Sequence, residues 1–128
     1  MAVGLEKIKF KDVKKIVEDS LMLDEPVEIY PETKLSALGA DLMDFADIAF
    51  KVGINYTKYV QGEKLTNNAR EKYIPMIANE YRTISPEKTR HFIELGRAKN
   101  IYDLVGLLTV GDFLDIRNYE LKMAGCGC

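Results

Sequence analysis

The chain lacks tryptophan altogether, and it is nearly as poor in histidine, cysteine and serine, with one, two and three residues respectively among 128. One His and two Cys cannot close a four-ligand zinc site within a single chain, so no metal is expected. Ser20, Ser36 and Ser85, with His91 as sole imidazole, leave no recognisable nucleophile–base motif. Both cysteines fall in the last three residues, which excludes a disulfide scaffold. No apolar run approaches the ~18 residues of a membrane span. Met1 to Phe10 hold no apolar h-region, so no secretory leader is expected. An excess of one charge is also missing: 18 Lys and Arg against 20 Asp and Glu leave −2, too balanced to imply nucleic acid. With 47% hydrophobic and 30% charged residues, the composition is that of one soluble, cytoplasmic domain. A chain of this length can bury a core without staples.

What is there begins with a partition of charge. Residues 1–17 carry five Lys against Glu6 and Asp12, whereas residues 18–47 carry nine acids against Lys34 alone. Residues 48–99 reverse the sign, with ten bases against five Glu. An acidic block between basic ones presents a local field larger than the net charge suggests.

Hydrophobic periodicity points to an all-α fold. Leu5, Ile8, Val13, Ile16, Val17 and Leu21 recur near helical period and predict a first helix over residues 3–22. Pro26 and Pro31 then enforce a long loop over 23–40. Asp41 is a good N-cap, and Phe45, Ile48, Ala49, Val52 and Tyr56 predict an amphipathic second helix over 42–60, with Gly53 a weak point and Gly62 a stop. Over 65–81 apolar residues recur at fourfold spacing, but Pro75 must kink or split that helix. Ser85-Pro86-Glu87 is a helix start that runs to about Gly96. Ile101 to Leu108 predict a short apolar helix. Thr109 to Asp112 resemble a capping box that opens a last helix over 110–121. No β-hairpin signal and no repeat is seen. The expected core includes Phe45, Ile48, Val52 and Phe113. Residues 1–122 are expected to form one helical domain, and 123–128 a flexible tail.

Two of these segments resemble the acyl carrier protein family. Leu38-Gly39-Ala40-Asp41-Leu42-Met43-Asp44-Phe45-Ala46-Asp47-Ile48 is similar to the start of that family's second helix, Leu-Gly-x-Asp-Ser-Leu-Asp followed by a further acid. Thr109-Val110-Gly111-Asp112-Phe113-Leu114 resembles the opening of its last helix. The resemblance covers about residues 1–56 and 100–121. It implies a carrier-like bundle with a long loop between its first two helices, an extra helical insertion at 57–99, and a non-enzymatic role in fatty-acid, polyketide or peptidyl assembly. The family's docking face maps onto Asp41, Asp44 and Asp47, which would meet basic patches on acyl- or peptidyl-processing enzymes. One departure is chemical. The family's phosphopantetheine-bearing serine is replaced by Leu42, which has no oxygen for a phosphodiester, so phosphopantetheine is not expected.

The remaining candidates are weaker. Cys126 and Cys128 on a glycine-flanked tail are an alternative functional centre, for redox exchange, soft-metal binding or covalent loading. The ending also looks like that of doubly prenylated Rab GTPases, but no P-loop accompanies it, and Gly125 breaks the usual prenylation box. His91 is expected at the surface or a helix end. The tyrosines are expected as core and rim residues rather than a nucleotide-stacking platform. The basic stretch 58–99 is interleaved with Glu and carries no RNA-binding motif. Asp44 and Asp47 are too exposed by pattern for an acid–base pair, and no enzyme signature is present.

Overall fold

The computed structural model describes residues 8–23 and 27–125. Among them lie six α-helices: α1 (Phe10–Leu21), α2 (Leu42–Val52), α3 (Ile74–Glu80), α4 (Pro86–Gly96), α5 (Ile101–Leu107) and α6 (Val110–Gly125). A two-stranded antiparallel hairpin, β1 (Val60–Gln61) and β2 (Lys64–Leu65), is the sole sheet in the described residues.

Every helix but α3, which continues from the turn before it, starts where a side chain satisfies an orphan backbone N–H. In α1, Asp12 accepts the Lys9 N–H at 2.8 Å, with Lys9 extended. That local bond starts the helix at Phe10 rather than residue 3; residues 3–7 lie outside the described residues. Asp41 and Asp44 cap α2 reciprocally, each accepting the other's N–H at 3.0 Å. Ser85 accepts the Lys88 N–H at 3.2 Å, with Pro86 in the first turn of α4, as the sequence predicts. Asn100 caps α5 through the Asp103 N–H at 2.9 Å.

The second helix is shorter than the predicted 42–60. It ends at Val52 because Gly53 takes φ +94, a left-handed conformation that favours glycine. The Gly53 N–H donates to Phe50 O, and the Ile54 N–H reaches back to Ala49 O, closing a Schellman stop. Helix α6 grips this corner twice. Arg117 Nη1 donates to Gly53 O at 3.3 Å, and Glu120 Oε1 accepts the Asn55 N–H at 3.1 Å.

The hairpin at 60–65 corrects the reading that no such element exists. Val60 pairs with Leu65 and Gln61 with Lys64 around a Gly62-Glu63 turn, so Gly62 turns a strand instead of stopping a helix. Strands of two residues are too short to display alternation in sequence. Pro75 produces a split: a π-helical turn at Ala69–Tyr73 leads into α3, and Pro75 sits in its first turn, where a missing N–H costs little.

Helices α1, α2, α5 and α6 pack together, while α3 and α4 pair with each other and α3 also touches α6. Phe45, Ile48, Val52 and Phe113 are all buried in the core, as expected, beside Val13, Val17, Phe92 and Leu108. The Phe45 ring lies 5.5 Å from Tyr56 and 6.1 Å from Phe113, centroid to centroid.

The loop before α2 clasps the junction of α5 and α6. Pro31 O accepts the Gly111 N–H at 2.8 Å, Thr33 O accepts the Val110 N–H at 2.9 Å, and the Leu35 N–H donates to Leu108 O at 3.1 Å. A Cβ at Gly111 would stand 2.8 Å from the Pro31 carbonyl oxygen and 3.1 Å from its Cα, so the backbones approach this closely only over glycine. Gly111→Ala should therefore lower the urea midpoint by an amount equivalent to about 1–3 kcal/mol, despite alanine's better helix propensity. An unchanged midpoint would show that the clasp gives way freely.

Candidate functional site

Two regions qualify, and the first is the outer face of α2. The structure places Asp41, Asp44 and Asp47 along this helix, but gives them different jobs. Asp41 and Asp44 are both spent on the reciprocal cap, so Asp44 is structural as well as Asp41. Asp47 pairs with Lys51 at 3.0 Å, and Lys51 also reaches Ser20 Oγ on α1 at 3.4 Å. Hydrogen bonds from Lys51 and then Ser20 hold the Asp47 carboxyl below its ordinary range, keeping it ionised. On either side of Asp47 stand Met43 and Phe50, each 80% exposed. They are seven residues apart, hence about 10 Å along one side of the helix. Sequence periodicity missed this pair because attention to the inward stripe hides apolar residues that point outward. Leu42, at the position of the family's attachment serine, is half-buried against the core. Cys126 and Cys128 lie outside the described residues.

The second region was not legible in the sequence. A cavity of about 400 Å3 opens where α4 and α6 begin, lined among others by Phe10, Pro31, Ser85, His91, Asp112 and Leu114. His91 is not a free surface residue: its Nε2 sits 2.6 Å from Asp112 Oδ2, and Asp112 is only 2% exposed. The same Asp112 oxygen accepts the Thr109 N–H at 2.8 Å, which caps α6. One turn along α6, Asp115 accepts the Tyr81 hydroxyl at 2.7 Å and pairs with Lys88 at 3.2 Å. The Lys88 ammonium also stands 4.7 Å from the centre of the Tyr81 ring, a cation–π distance. Burial pushes the Asp115 carboxyl up, opposed by Tyr81 and Lys88. Burial and the Asp115 carboxylate push the Tyr81 phenol up.

This cluster ties α4, α6 and the end of α3 together. His91 is oriented by the Asp112 carboxylate, and the cavity's serine, Ser85, accepts the Lys88 N–H as the α4 cap. Among the described residues no group of three or more His, Cys, Asp or Glu could hold a metal ion, and no helix is long and apolar enough to cross a membrane. No protein-family model, no curated protein and no solved structure matches the chain. The family resemblance of the α2 and α6 motifs therefore rests on their residues alone.

The latch has a definite pH dependence. The hydrogen bond to Asp112 raises the His91 pKa above 6.5, opposed by burial and aided by the charges of Asp112, Glu94 and Asp115. A folded-state pKa above the unfolded value gives stabilisation that is complete below about pH 6.5 and disappears as pH rises through the folded value. Urea midpoints should accordingly fall across that window in the native chain and fall less in His91→Gln. Parallel curves for the two proteins would show that the imidazolium contributes nothing.

Proposed function

We propose that this chain is a non-enzymatic docking module of acyl-carrier-protein type, which engages acyl- or peptidyl-processing enzymes through α2 and carries no phosphopantetheine. The observation that carries this reading is the pair Met43 and Phe50, each 80% exposed on a helix fixed at both ends, with the ionised Asp47 between them. An exposed aromatic and a methionine are the residue types that anchor protein interfaces. An acid between them favours a partner whose rim is basic, and such pairing acts mainly on encounter rate and orientation. The α2 and α6 motifs supply the family context, and Leu42 removes the prosthetic group from it.

The test uses an enzyme that must itself dock on α2. With coenzyme A and a broad-specificity phosphopantetheinyl transferase, the native chain should show no gain in intact mass. Leu42→Ser should gain one phosphopantetheine. Adding Phe50→Ser, or Asp47→Asn, to Leu42→Ser should slow modification at least several-fold at unchanged melting temperature, because both side chains are exposed. Failure of Leu42→Ser to be modified, with its fold intact, would refute recognition of α2 as a carrier surface.

A further inference from the structure

The cavity between the starts of α4 and α6 plays no part in docking through α2, and none of its walls belongs to that helix. At about 400 Å3 it falls within the range of small-molecule sites. Phe10, Pro31 and Leu114 give it apolar wall. Ionisable side chains line it as well: Glu32, Glu87, Asp112 and Asp115 as acids, Lys88 and His91 as bases.

The pairing of these charges is uneven. Both bases are already matched, Lys88 by Asp115 at 3.2 Å and His91 by Asp112 at 2.6 Å. Glu32 and Glu87 are exposed at the cavity and take part in no ion pair or side-chain hydrogen bond among the described residues. Four acids against two bases therefore leave two carboxylates uncompensated. An anionic ligand would meet that excess with no unmatched base of the lining to receive it, whereas a cationic ligand would relieve it. His91 adds a further acceptor. Its Nε2 is tied to Asp112, while Nδ1 has no hydrogen bond among the described residues. In the neutral imidazole that nitrogen carries a lone pair. Carboxylates also only accept, so the donors must come from the ligand, and an ammonium group supplies three.

We propose that this cavity binds a primary amine with an apolar body, its ammonium group on Glu32, Glu87 and His91 Nδ1 and its body against Phe10, Pro31 and Leu114. The walls set the need for a body, since a bare ammonium ion would leave their apolar surface in water. The His91 proton opposes binding, because an imidazolium repels the ammonium and turns Nδ1 into a donor. The charged and titratable groups around His91 are Asp112 and Asp115 of α6, Glu87, Lys88 and Glu94 of its own helix, Tyr81 at the end of α3, and Glu32 of the loop before α2. His91 is the imidazole among them, the side-chain type that titrates near neutral pH.

Calorimetric titration of the full chain at low ionic strength tests the site, with phenethylamine, phenethyl alcohol, hydrocinnamate and methylammonium as probes. Phenethylamine should bind saturably at millimolar concentration or below. The alcohol and methylammonium should bind at least about tenfold more weakly, and hydrocinnamate should give no saturable heat. Phenethylamine affinity should rise at least about threefold between about pH 6 and about pH 8, a range over which an alkyl ammonium keeps its proton. His91→Gln should abolish that rise. Glu32→Gln with Glu87→Gln should weaken phenethylamine by about tenfold or more with an unaltered circular dichroism spectrum, since both side chains are exposed. Absence of saturable phenethylamine binding at millimolar concentration would overturn the proposal, as would the alcohol or methylammonium binding as tightly. So would an affinity unchanged in the Glu32→Gln, Glu87→Gln chain, or one that is the same at both pH values in the native chain.

Discussion

Much of this fold is organised around one buried carboxylate. Asp112 is almost wholly removed from water, which is costly for a charge unless it is paired and hydrogen-bonded. It meets both conditions at once, through the Thr109 N–H and the His91 ring. The first bond starts α6, and the second joins α6 to α4, twenty-one residues earlier in the chain. The adjacent residues, Val110 and Gly111, donate their N–H groups to the loop that precedes α2. Three segments far apart in sequence therefore converge on the first turn of one helix. Removing the carboxylate would leave the cap and the interhelical bond unsatisfied together, which is why neighbouring changes here should not add independently.

Helix α2 illustrates how a surface becomes available without being loose. It is closed at its start by the Asp41–Asp44 exchange and at its end by the Schellman turn at Gly53. Its inner side is held by Phe45, Ile48, Ala49 and Val52 in the core. The outer side is thus presented in one conformation, so a partner would not have to order it first. The same arrangement divides the three aspartates: two are consumed in building the helix, and Asp47 keeps its charge on the outside beside Lys51.

How much of this could be read from the sequence follows from the range of each interaction. The Ser85 and Asp41 caps were legible because donor and acceptor lie three residues apart. The inward stripe of α2 and the burial of Phe113 were legible because helical period records them directly. The end of α2 was overrun because Gly53 reads as a weak helix former, and its role as a stop depends on Ile54 turning back into the core and on α6 gripping the corner. The 60–65 hairpin was missed because two-residue strands carry no period. The His91–Asp112 pair had no local signal at all; the one hint was the Thr109–Asp112 spacing, which places that carboxylate at the helix start without saying what else it touches.

The grip of α6 on the corner after α2 has a mechanical meaning. Arg117 holds the Gly53 carbonyl and Glu120 holds the Asn55 N–H, and these two side chains sit three residues apart on one side of α6. A joint with one fastening can swivel; one with two separated fastenings resists twisting as well as sliding. A Cβ at Gly53 would come within 2.8 Å of Arg117 Nη1, so a larger residue at this bend would displace the guanidinium from the carbonyl it holds. Turning the corner after α2 relative to α6 would therefore strain both hydrogen bonds at once, not one alone.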